Sequence, residues 1–114
     1  MLTLDSLTAW GANTKEGLGR CFNNQDFYLR LVGMAIADAN FDRLKAAMDA
    51  RDPKAAFEAA HALKGSLGNL SLTPIYDPVC ELTELLRAQT GPVEADALME
   101  RIFSGLETLR QMNT

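Results

Sequence analysis

Apolar residues recur at helical spacing along most of the chain, with glycines and prolines as punctuation. Leu4, Leu7 and Trp10 open the pattern, but Gly11, Gly17 and Gly19 interrupt it. Each glycine weakens a helix by about 1 kcal/mol. The spacing predicts two short helical pieces over 4–22 that break near Gly11, with Asn13 or Thr14 capping the second. Asn24 then caps a helix whose stripe is Phe27, Leu31, Met34 and Ala35. A bend at Asp38-Ala39-Asn40 leads to a second stripe of Phe41, Leu44, Ala47 and Met48. Asp52-Pro53 is a strong start signal, an acid at the N-cap and a proline where a missing N–H costs nothing. The helix from Pro53 carries Ala56, Ala60, Leu63, Leu67 and Leu70 on one face. Val79, Leu82, Leu85 and Leu86 mark a helix over 74–89, closed by Gly91-Pro92. Leu98, Ile102, Leu106 and Leu109 mark a last helix over 92–112. Nothing alternates as a strand does. The expected fold is all-α, an antiparallel up-down four-helix bundle with an additional short N-terminal helical segment.

Within the helix over 74–89, Pro74 and Pro78 conflict. A proline inside a helix loses a hydrogen bond and clashes with the preceding turn. Either the helix starts late, with Asp77 as cap and Pro78 first, or it runs through Pro78 and is kinked.

The length of 114 residues suits one domain over 1–114, with 1–14 as an extension and 15–112 as the bundle. No apolar run reaches the ~18 residues a membrane span needs, and Met1–Asp5 lacks the basic start of a secretory leader. The net charge of −4 argues against a nucleic-acid or anionic-membrane partner. Cys21 and Cys80 form no disulfide framework. Both are expected to be small buried apolar residues in a reducing cytoplasm. Met34, Met48 and Met99 fit core stripes, and Trp10 and Phe22 are expected to cover an open end of the bundle. His61 is the only histidine, which excludes multi-histidine metal sites and metal- or haem-binding bundles.

On a wheel of roughly 100° per residue, His61 points away from the apolar stripe, toward solvent. Its strip holds Lys54, Glu58, Gly65 and Gly68, with Lys64 beside it. Lys64 at i+3 and Gly65 at i+4 are its surface neighbours. A cation there holds an anion, and two costly glycines clear space above the imidazole. Nucleophile, charge neutraliser and access together suit a phosphoryl group delivered by a bulky partner. The bland alternative is an idle surface histidine beside two glycines that serve close helix packing.

Ala60-His61-Ala62-Leu63-Lys64-Gly65-Ser66, with Gly68-Asn69-Leu70 after it, resembles the signature of histidine-containing phosphotransfer (HPt) domains. Phe22–Leu29 is similar to that family's turn and the start of its second helix, and Cys80–Leu85 to its fourth helix. One departure is Ser71, which stands where the family pattern has glycine. The resemblance implies a four-helix bundle with His61 as phosphoacceptor, Lys64 as phosphate charge stabiliser and Gly65 as the opening for an incoming receiver domain. It implies a phosphocarrier of a multistep phosphorelay without kinase activity. Its partners are receiver domains of response regulators or hybrid kinases, and it needs no cofactor or metal of its own, since the receiver supplies Mg²⁺. A monomer in the cytoplasm is expected. Two alternatives stay open: a receiver-binding module without turnover, and a phosphoacceptor fragment of a chemotaxis-type or hybrid kinase.

Overall fold

A computed structural model describes residues 1–88 and 92–114. Among these lie seven helices and no strand. They are α1 (Leu4–Trp10), α2 (Thr14–Arg20), α3 (Gln25–Ile36), α4 (Asn40–Asp49), α5 (Pro53–Asn69), α6 (Thr73–Ala88) and α7 (Pro92–Met112). The expected turn residue Gly91 and the expected last helical residue Gln89 lie outside the described residues.

Local chemistry sets the helix starts. The Thr3 side chain accepts from the Ser6 N–H in a reciprocal capping box. Asn13, not Thr14, caps α2 by accepting from the Glu16 N–H at 3.2 Å. Asn24 caps α3 and Asp52 caps α5 in the same manner. Before α4, Asp38 accepts from the Asn40 N–H at 2.8 Å, which explains the expected bend.

α5 is the centre of the bundle, packed between α4 and α6, with α7 against α6. Ala56, Ala59, Ala60, Leu63 and Leu67 of α5 are buried. Alanines on that face let neighbouring backbones approach, and the leucines fill the layers between them. Phe41 of α4 meets Phe103 of α7 edge to face, ring centres 6.2 Å apart, which closes the bundle. α3 lies beside α7, and Arg110 donates two hydrogen bonds to the Ile36 carbonyl at its end. The expected stripes of α4, α5 and α7 are buried, and Met48 and Met99 are half-buried against the core. Trp10 is likewise half-buried, beside Gly105.

Three expectations change. α3 is rotated by about one residue from the expected stripe: Tyr28, Val32, Ala35 and Ile36 are buried, whereas Phe27 and Met34 are 37% and 63% exposed. Both stripes have helical spacing. The inner one prevails because the Tyr28 hydroxyl finds the Leu70 carbonyl at 2.9 Å, so a polar group enters the core with its partner. Phe22 covers nothing. It is 87% exposed, in a left-handed turn at φ 58°. Cys80 is half-buried rather than fully buried; Cys21 is buried as expected.

α6 begins at Thr73 and continues through Pro78, so the late start at Asp77 is not what the chain adopts. Pro78 has no N–H for the Pro74 carbonyl. Its ring is buried, and the packing of α6 against α5 and α7 offsets that lost bond.

Candidate functional site

The site lies on the solvent side of α5. His61 is exposed there, and Lys64 is half-buried one turn on. Together with Gly65, Gly68, Asn69, Arg20 and Tyr76 they line an open groove of about 440 Å³. The structure thus brings the three expected residues, His61, Lys64 and Gly65, to one place.

The two glycines of the strip have different physical causes. A Cβ built at Gly65 would meet nothing within 4 Å. At Gly68 it would lie 2.6 Å from Cε1 of Tyr76. Gly65 therefore leaves open space beside the imidazole, while Gly68 admits a ring from α6. The expectation that both glycines clear space holds only for Gly65, and close packing explains Gly68.

The imidazole rests on Phe57, one turn earlier on α5. The two rings are nearly parallel, 11° apart, with centres separated by 5.8 Å. The Arg87 guanidinium of α6 sits 5.5 Å from the centre of the same Phe57 ring.

At the far end of the groove, α5 closes with a tight turn. Ser71 adopts φ 55°, its N–H bonds the Gly68 carbonyl, and the Leu72 N–H bonds that of Leu67. This is a Schellman ending with serine at the position that favours glycine. Arg20 stabilises it. Its guanidinium donates to the Gly68 carbonyl at 3.0 Å, more weakly to that of Asn69, and to the Ser71 hydroxyl at 2.6 Å. Glu16 holds the same guanidinium from one turn back on α2. The departure at Ser71 thus carries its own compensation. Behind this turn Gly17 has no side chain because a Cβ there would collide with Tyr28 and the Leu70 carbonyl.

The neighbouring Cys80 thiol holds the Tyr76 hydroxyl above the ordinary tyrosine pKa. The charge of Asp77 adds to the shift and Arg20 opposes it.

Sequence reasoning missed Phe57, Arg20 and Tyr76. Phe57 carries a signal, since it stands four residues before His61. Arg20 and Tyr76 reach the groove from other helices, and no spacing reveals that.

Among the described residues no helix is long and apolar enough to cross a membrane. Comparisons with curated proteins and with solved structures found no match. A family model described as Hpt domain matches residues 34–112, from the last turn of α3 to the end of α7. With that match over well more than half its length and an all-helical bundle to accompany it, the chain belongs to the HPt domain family, the phosphotransfer modules of two-component signalling.

Proposed function

We propose that His61 is the phosphoacceptor of this chain, working between receiver domains in a multistep phosphorelay. The observation that carries the reading is an exposed imidazole beside a half-buried Lys64 and open space at Gly65. The donor is an aspartyl phosphate. A lone pair on an imidazole nitrogen attacks phosphorus, the N–P bond forms, and the acyl O–P bond breaks. The donor leaves as a carboxylate, and the ring releases one proton to solvent. The reverse sequence, onto a second receiver aspartate, discharges the histidine. Lys64 neutralises charge on the moving phosphoryl group, and the bare backbone at Gly65 admits the receiver. On this reading residues 1–114 act as one monomeric cytoplasmic phosphocarrier, with no kinase activity and no metal of its own.

The test is incubation with a panel of phosphorylated receiver domains from the same organism. Wild type should take up an acid-labile, alkali-stable label, and His61→Gln should take up none while keeping its fold. Label on His61→Gln would refute the assignment. Lys64→Ala should slow transfer roughly 10–1000-fold, the scale of one positioned charge, with receiver affinity little changed. Gly65→Gln should instead lose receiver affinity without losing stability. Receiver binding by a wild type that never takes label would move the assignment to a binding module without turnover.

A further inference from the structure

A histidine on an exposed helix face is poorly aimed by default. Its terminal ring torsion is broad and roughly two-fold, so the nucleophilic nitrogen samples many directions. An in-line displacement needs one of them. In an α-helix long side chains lean back over the preceding turn, and for His61 the residue waiting there is Phe57. The two rings lie within 11° of parallel at 5.8 Å, an offset stack. On the opposite side, toward Gly65, a Cβ would find nothing within 4 Å. The imidazole therefore has a wall on its N-terminal side and open space on its C-terminal side.

The wall is itself held. Phe57 is half-buried, and Arg87, from the last turn of α6, places its guanidinium 5.5 Å from the ring centre. That distance is within the range of a cation–π contact. Arg87 has an alternative partner in Glu84, but the pair is long at 3.7 Å and well exposed. It competes weakly with the ring.

We infer that Phe57 is a positioning residue for His61: its ring fixes the plane of the imidazole so that the attacking nitrogen faces the opening at Gly65, and Arg87 steadies that ring from α6. The inference rests on the phosphoacceptor reading of His61. It concerns aim rather than chemistry, so it makes a split demand. Transfer from a docked, bulky donor depends on aim. Uptake from a small donor that approaches freely does not.

The experiment uses the full chain and two donors. One is the receiver that labels wild type fastest in the panel above. The other is potassium phosphoramidate, whose P–N bond breaks with loss of ammonia as the new N–P bond forms. Phe57→Leu should slow single-turnover transfer from the receiver about three- to tenfold, the scale of one lost aromatic pair, with receiver affinity unchanged. Its uptake from phosphoramidate should stay within about twofold of wild type. Phe57→Tyr should restore the transfer rate. Arg87→Ala, at an exposed position, should slow transfer about twofold to fivefold. Because His61 is the only histidine, ring-proton NMR reads the stack directly. The ring-current shift should vanish in Phe57→Leu and persist in Phe57→Tyr. Full-rate transfer by a folded Phe57→Leu whose stack is gone would overturn this inference alone. Equal slowing with both donors would also overturn it, because the effect would then be on reactivity and not aim. Absence of label on wild type would overturn the phosphoacceptor reading and this inference with it.

Discussion

Alanine substitution at Gly65 and Gly68 should change stability in opposite directions, although the two lie three residues apart on one helix. In a helix interior alanine is favoured over glycine by about 1 kcal/mol. Gly65 collects that gain, since its new Cβ touches nothing within 4 Å. Gly68 is the last residue but one of α5, so its gain is smaller. Its new Cβ would stand 2.6 Å from Cε1 and 3.2 Å from Cζ of Tyr76. Ordinary carbon contacts are about 3.5–4.0 Å, so the ring must retreat by roughly 1 Å. Retreat strains the Tyr76 rotamer or opens α5 from α6. Overpacking of this kind costs about 1–3 kcal/mol. Gly68→Ala should therefore fall about 2–3 kcal/mol below Gly65→Ala, combining the propensity gain with the overpacking cost. Urea unfolding followed by circular dichroism resolves such a gap. In a Tyr76→Ala background Gly68→Ala should lose its penalty, which a double-mutant cycle reads as coupling. A Gly68→Ala protein as stable as Gly65→Ala would refute the argument that Tyr76 is the reason for the glycine.

Two further outcomes follow from the same region. Ser71→Gly alone should shift stability by less than about 1 kcal/mol, because relief of the left-handed serine is offset by the lost Arg20 hydrogen bond. In an Arg20→Ala background the same change should stabilise by about 1 kcal/mol, and equal effects in both backgrounds would contradict the compensation. Burial, with a smaller contribution from Cys21, pushes the Tyr28 hydroxyl up to about 12 from 10.0. The folded state thus favours the neutral phenol. The associated stability is complete below pH 10 and is lost as pH rises toward 12, by roughly 2–3 kcal/mol. Tyr28→Phe should be less stable at neutral pH by about 1–3 kcal/mol, because the buried Leu70 carbonyl loses its donor. It should also lose much less stability between pH 10 and 12, measured by urea unfolding at stepped pH.

The fold was legible where periodicity and caps agree. Asp52-Pro53 announces α5, and the Ala56–Leu67 stripe fixes which face is inward, so the outward position of His61 follows from the sequence alone. α3 shows where periodicity stops being sufficient. Two stripes one residue apart both have helical spacing, and the choice between them depends on a carbonyl at Leu70, far along the chain. The same limit applies at Pro78. Local propensity argues against a helix there, and tertiary burial prevails. At the site, His61, Lys64 and Gly65 were legible because all three lie on one helix. The choice between open space and close packing stayed open for Gly68 because the residue that decides it, Tyr76, lies on another. Arg20 was invisible for the same cause, and the serine it supports looked like a bare departure from the family pattern.

His61 is the ninth of the 17 residues of α5, at the midpoint of the helix. There the backbone N–H groups are already committed to the turn before, and the helix field is near its null, since its charge is concentrated at the ends. Helix starts that grip phosphate do so with free amides and a positive pole. A phosphoryl group on His61 would find neither. It would be held by one N–P bond and steadied by one lysine, with no cradle to stabilise it as a resting product. Such placement would keep the transfer potential in the bond rather than dissipate it in binding. A storage site would want the helix end; a relay station, which must give up what it takes, is better served by the middle.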